Sequence, residues 1–202
     1  MWPQNENRVL QYRFRPSRIE DCFEIARLYR ISSDGVADYI WTKISEPGED
    51  ILDIGCRRYQ REDSVYSYKN CTVVEIGGKI IGMLAAFPMY VDSTHEEYDP
   101  VLQPYSKLEE DNSYYICGMA LFPRHRGFGI GTRLLRFAEE QAQAQGFEKL
   151  SLIVFEQNSA AMRLYEKTGY RERMRAAVVS HPLIRCGGDA ILMVKNMKQY
   201  SR

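Results

Sequence analysis

The sequence predicts an α+β fold in which helices and mostly antiparallel strands share one sheet. Three observations carry this. Two β-rich apolar runs meet at Gly77-Gly78, helical and strand-like segments alternate from Tyr114 onward, and the last ordered-looking segments are again strand-like. Two glycines between two strands read as a tight hairpin, because glycine accepts positive φ. Helices combined with antiparallel strands in one sheet form the α+β pattern.

In order, Tyr12–Arg15 reads as a short first strand. Ser17-Arg18-Ile19-Glu20 matches a capping box, and Ile19, Phe23, Ala26 and Tyr29 follow at helical spacing, so a helix is expected from about Arg18 to Ile31. Asp34–Ile44 and Glu49–Arg61 read as further helices separated by the break Glu46-Pro47-Gly48. Cys71–Ile76 and Lys79–Phe87 are the hairpin strands. Pro88–Asn112 is polar and turn-rich. Tyr114–Phe122 is a strand stopped by Pro123. Gly131–Gln145 places Leu134, Phe137, Ala138 and Ala142 on one face, with Gly146 where a C-terminal cap belongs. Leu150–Phe155 is a strand, Asn158–Lys167 a helix capped by Asn158 or Ser159 and followed by Gly169, and Tyr170–Val179 and Asp189–Lys195 are the last strands.

A chain of 202 residues fits one domain, 1–202, with a core over about 12–195 and a polar insertion over about 88–112. Lys plus Arg balance Asp plus Glu at 27 each, which argues against an overall nucleic-acid binder. No apolar run is long enough to cross a bilayer, and Met1–Arg15 lacks the apolar stretch of a signal peptide. Cys22, Cys56, Cys71, Cys117 and Cys186 are odd in number, with no C-x-x-C pair. They suggest neither a disulfide framework nor zinc, and a reducing cytoplasmic location follows. His95, His125 and His181 lack ligand spacing, so no metal is expected.

The segment with most chemical content is Pro123-Arg124-His125-Arg126-Gly127-Phe128-Gly129-Ile130-Gly131, which joins a strand to a helix. Glycines at every second position let a ligand approach the backbone, and the helix end offers unpaired N–H groups to a phosphate or pyrophosphate. Arg124 and Arg126 add charge. Within this segment no Lys follows a glycine, which excludes a Walker A loop there, and the G-x-G-x-G spacing departs from the dinucleotide fingerprint. Read alone, the glycines are equally compatible with a structural turn.

With its neighbours, the segment resembles the GNAT superfamily of acyl-CoA N-acyltransferases. Arg124-His125-Arg126-Gly127-Phe128-Gly129 meets its [RQ]-x-x-G-x-[GA] signature. Ile130–Leu135 and the stretch Asn158–Tyr170 look like the family as well. The resemblance spans roughly Tyr12 to Lys195. It implies a splayed, mostly antiparallel mixed sheet of about six to seven strands flanked by helices, with acetyl-CoA lying between two central strands. It further implies that Met119, Ala120 and Leu121 offer backbone groups to the pantetheine arm. The amides of Arg126, Gly127, Phe128, Gly129, Ile130 and Gly131 would bind the pyrophosphate, with Arg124 nearby. Asn158 and Ala161 would border the CoA arm, and Tyr165 would protonate the departing thiolate. Its hydroxyl suits that role because the sulfur leaves with negative charge; taken without the family, Tyr165 reads as a core tyrosine.

The expected activity is acetyl transfer from acetyl-CoA to a primary amine by direct attack, in a monomer or homodimer without membrane or nucleic-acid partners. A non-catalytic acyl-CoA sensor or scaffold is the alternative, since Tyr114–Gly118 holds no carboxylate to act as base. Glu75, Glu110 and Asp111 are the candidate bases, although each reads first as a solvated surface acid. Cys117 reads as a buried thiol rather than a nucleophile. The acids Asp92, Glu96, Glu97, Asp99, Glu109, Glu110 and Asp111 suggest a cationic acceptor, or simply a solvated acidic loop.

Overall fold

The diglycine hairpin forms: β2 (Cys71–Ile76) and β3 (Lys79–Met89) pair antiparallel through Gly77 and Gly78 at φ of 54° and 79°. The computed structural model describes residues 11–92, 94 and 96–197. Residues 1–10, on which the absence of a signal peptide was partly read, and His95 lie outside the described residues. The other strands are β1 (Arg13–Pro16), β4 (Ser113–Leu121), β5 (Lys149–Phe155), β6 (Arg171–Ala177) and β7 (Asp189–Asn196). They join the hairpin in one sheet of order β1-β2-β3-β4-β5-β7-β6. Every pairing is antiparallel except β4 with β5.

The helices are α1 (Cys22–Ser32), α2 (Val36–Thr42), α3 (Ile51–Gln60), the short α4 (Gln103–Ser106) inside the polar insertion, α5 (Ile130–Ala144) and α6 (Ser159–Lys167). Two cores sandwich the sheet. On one face Ile25, Leu28, Trp41, Ile54 and Tyr59 of α1–α3 pack against Val73 and Met83. On the other, Ile130, Leu134, Leu135, Ala138 and Ala142 of α5 and Tyr165 of α6 pack against Ile116, Leu150 and Leu152. In α5 these apolar residues form the stripe expected of a half-buried helix. The helix ends at Gly146 (φ 78°), where the Phe147 amide donates to Ala142 O at 2.9 Å, a Schellman closure.

Two local expectations need correction. Ser17 and Glu20 form no capping box. The Ser17 hydroxyl donates to Tyr68 O at 2.5 Å, and the Arg18 amide is taken instead by Asp21 Oδ2 at 2.7 Å. Asp21 wins because it is fixed by Arg15 at 2.6 Å. The second helix starts at Val36, not Asp34, because Asp34 and Gly35 have φ of 45° and 102°, outside the helical region.

Gly35 sits tightly. A β-carbon there would lie 1.9 Å from Leu183 O, and an L-residue at positive φ already costs about 1–2 kcal/mol. Gly35→Ala is therefore expected to lower Tm by about 5 °C or more. Gly48→Ala, at φ 86° with open space around it, should show only the smaller backbone cost. Thermal unfolding of the two variants side by side checks this.

Candidate active site

The site begins where the sheet opens. β4 and β5 pair only at Tyr114–Leu150, Tyr115–Ser151 and Ile116–Leu152. The buried hydroxyls of Ser113 and Ser151, 2.6 Å apart, hydrogen-bond at this closed end. Beyond it the strands separate, so the β5-facing backbone of Cys117–Leu121 has no strand partner. A register shift explains the bend: Ala85 pairs with Gly118 but Ala86 pairs with Ile116, leaving Cys117 as the extra residue of a bulge. The bulge also reverses the alternation of side chains. Tyr114 and Ile116 face α5 before it, and Met119 and Leu121 face the same side after it. Gly118 then faces α1, where a β-carbon would lie 2.9 Å from Tyr29 Cδ2 and 3.2 Å from Ser32 Oγ.

The gap is a cleft of about 740 Å³, within the usual range for small-molecule sites. Met119, Ala120, Leu121, Arg126, Gly127, Gly129, Ile130, Gly131, Asn158, Ala161 and Tyr165 line it. Arg124 and Phe128 do not. The Arg124 Nε donates to His125 Nε2 at 3.0 Å, and the Phe128 ring is exposed.

The glycine loop presents its backbone at one end. Gly127 and Gly129 have φ of 85° and 75°, with nothing within 4 Å of a β-carbon at either. The amides of Gly127 through Thr132 make no hydrogen bond to a described residue. Arg126 is the exception in the predicted run: its amide donates to Pro123 O at 3.2 Å and its Nε to Leu121 O at 3.0 Å. The run of unbonded amides therefore starts at Gly127. No acid occupies the first turn of α5, so the helix dipole and free amides remain open to an anion.

Tyr165 stands on α6. Asn158 caps this helix, its Oδ1 accepting from the Ala161 amide at 3.2 Å. At the other end Gly169 (φ 99°) lets the Tyr170 amide donate to Tyr165 O at 3.0 Å, and the two rings lie 5.8 Å apart. These contacts fix the Tyr165 ring, which is buried with its hydroxyl unbonded to any described residue. Burial pushes the phenol up to about 12, so it stays protonated at neutral pH. Cys117, also against the cleft, is pushed up to about 12, chiefly by burial, and holds a thiol rather than a thiolate.

A splayed β4/β5 pair, an amide cradle and a fixed phenol now stand together. Against known proteins, the model described as the acetyltransferase (GNAT) family matches residues 37–170. The chain belongs to the GNAT family. It is 29% identical over 106 residues to acetyl transferase GW6a of Oryza sativa subsp. japonica, covering 52% of this chain and 23% of that protein. It is 38% identical over 58 residues to the N-acetyltransferase YycN of Bacillus subtilis, covering 29% and 37%. The chain thus spans well under half the length of these two relatives. The GNAT acetyltransferase of Elizabethkingia anophelis, solved with acetyl-CoA bound, shares the fold at TM-score 0.57 and 15% identity, covering 92% of this chain and 98% of that one.

The candidate bases of this GNAT chain all lie away from the cleft. Glu75 is held by Arg15 at 2.8 Å and Arg13 at 2.6 Å at the β1–β2 edge, and these guanidinium groups keep its carboxyl below the ordinary range. Glu110 pairs with Lys149 at 2.6 Å, and Asp111 accepts from the Val91 amide at 2.9 Å. Asp99 pairs with Lys43 and accepts from Tyr39. Two acids of the insertion, Asp99 and Glu110, are thus ion-paired within the molecule. Among the described residues no cluster of His, Cys, Asp and Glu can hold a metal, and no helix is long and apolar enough to cross a membrane.

Residues that sequence reasoning missed complete the cleft. Ser32 and Asp34 come from the α1–α2 corner, Gln157 precedes α6, and Arg185 and Cys186 come from the β6–β7 connection. Asp34-Gly35 carried a turn signal. Nothing in the pattern around Arg185 and Cys186 marked them.

Proposed function

We propose that the chain transfers an acetyl group from acetyl-CoA to a primary, cationic amine by direct attack. The observation carrying this is the run of unbonded amides from Gly127 to Thr132, opening into the same cleft as the Tyr165 phenol. The diphosphate lies on those amides and the pantetheine arm follows the unpaired backbone of Met119–Leu121. Backbone N–H groups of β4 at the splay polarise the thioester carbonyl. The nitrogen attacks as the neutral amine, the C–N bond forms, the C–S bond breaks, and the nitrogen gives up one N–H proton to solvent. Tyr165 hydrogen-bonds the departing sulfur, delivers its proton there and is reprotonated from solvent. The phenol, at about 12, is a weaker acid than an alkyl thiol at about 8.5. Its contribution is therefore greatest as charge develops on sulfur in the transition state.

Release of the CoA thiol is measured with spermidine, glucosamine and lysine methyl ester as acceptors. Turnover of at least one supports the proposal. Turnover confined to uncharged or anionic acceptors would refute the cationic specificity. Direct attack further expects no acetyl group on Cys117 after incubation with acetyl-CoA alone, read by intact mass. A pH test follows from the buried phenol. Because its active form is protonated and its pKa is about 12, kcat should not fall between pH 7 and 10 through Tyr165. A fall in that window that disappears in Tyr165→Phe would contradict this.

A further inference from the structure

The cleft contains one acid, Asp34, that the steps above leave unused. It occupies the corner between α1 and α2 at φ 45°, a backbone state that Asp tolerates better than most residues. Its carbonyl accepts from the Arg185 amide at 2.9 Å, and Gly35 beside it presses on Leu183. Residues distant in sequence thus pin this corner. Ser32, two residues earlier, lies against Gly118, immediately after the bulge. The corner therefore stands over the point where β4 leaves β5.

The Asp34 side chain is half-buried, yet it has no hydrogen bond or ion pair with a described residue. Other sheltered acids are bound: Asp21 to Arg15, Glu110 to Lys149, and Asp38 to Arg30 and Arg185 at 2.5 and 2.7 Å. Arg185, whose charge acts on Asp34, directs its guanidinium to Asp38 and to Arg30 O. A sheltered carboxylate facing a substrate cleft without a protein partner is suited to an external cation.

We infer that Asp34 receives the proton of the acceptor's ammonium group, an inference that rests on the transferase reading. The N–H electron pair stays on nitrogen as the proton moves to the Asp34 carboxylate. The freed lone pair forms the C–N bond. A second N–H proton leaves as the amide forms, the sulfur gains one through Tyr165, and Asp34 returns its own to solvent. One ammonium and one thioester thus give one amide, one thiol and one released proton. Burial raises the Asp34 pKa, opposed by Arg185, which brings the base closer to working pH. The other titratable groups around it are neutral under these conditions. Cys186 is raised to about 11, mainly by burial, and Tyr105 of α4 is raised further by burial. Cys117 and Tyr165 face the same cleft and also remain protonated.

The test compares wild type with Asp34→Asn, which preserves size and tolerance of positive φ. The acceptor is whichever of spermidine, glucosamine and lysine methyl ester the wild type turns over fastest. Expected are an unchanged Tm and acetyl-CoA Kd, and a fall in kcat of about 100-fold at pH 7. The deficit should shrink at least tenfold at pH 10, where the free amine needs no base. Wild-type kcat at pH 7, or an equal deficit at both pH values, overturns the role of Asp34 while leaving the transferase reading intact. A wild type that binds acetyl-CoA but acetylates none of the three overturns the cationic-amine reading and the Asp34 role with it.

Discussion

Tyr165→Phe should lower kcat by about 100-fold, at the lower end for loss of a positioned proton donor, while the Kd for acetyl-CoA stays within about twofold. The substitution removes one oxygen and leaves the ring, which is what the fold uses. The ring packs on Tyr170, and the backbone carbonyl closes α6 through the Tyr170 amide. The hydroxyl bonds no described residue, so its removal leaves no stranded partner and stability should be nearly unchanged. Steady-state kinetics with calorimetric binding of acetyl-CoA separates the two effects. Equal kcat in variant and wild type would remove Tyr165 from the chemistry. A large rise in Kd with kcat unchanged would make it a binding residue.

The paired substitution Gly127→Ala/Gly129→Ala should weaken acetyl-CoA binding by about 100-fold. Both positions have positive φ and open space where a β-carbon would project, so the cost is conformational rather than steric. Alanine relaxes out of the left-handed region, turning the neighbouring amides, and returning to it on binding costs about 1–2 kcal/mol at each site. Two such costs correspond to roughly two factors of ten in Kd. Because the loop borders solvent, the variant should fold, as circular dichroism would verify. Calorimetry giving a wild-type Kd would mean that the amides at these positions do not grip the donor.

The parts of the fold legible in the sequence are those that local chemistry decides. The Gly77-Gly78 turn, the apolar stripe of α5 and the glycines that close α5 and α6 depend on neighbours within a few residues, and all appear where expected. The glycine loop was legible for the same reason. Illegible features are set by contacts between distant segments. Asp34-Gly35 satisfies both a turn and a helix start locally, and the approach of Leu183 accompanies the turn. Arg185 and Cys186 reach the cleft only because β7 lies beside β5, with β6 on its far side. Glu75 depended on the pairing of β1 with β2, which brings Arg13 and Arg15 to it. The inward face of β4 defeats simple alternation, because the Cys117 bulge shifts its parity midway. Asp21 displaced the expected Ser17–Glu20 cap through its ion pair with Arg15, a partner outside the motif.

These features converge on the backbone between Gly127 and Thr132, whose amides are unbonded in the described structure. Hydrogen–deuterium exchange of the intact chain, with and without saturating acetyl-CoA, reads those amides directly. Protection concentrated in peptides covering 127–132, with a smaller change along 117–121, is the predicted result. Tight binding of acetyl-CoA that leaves exchange at 127–132 unchanged would contradict the account.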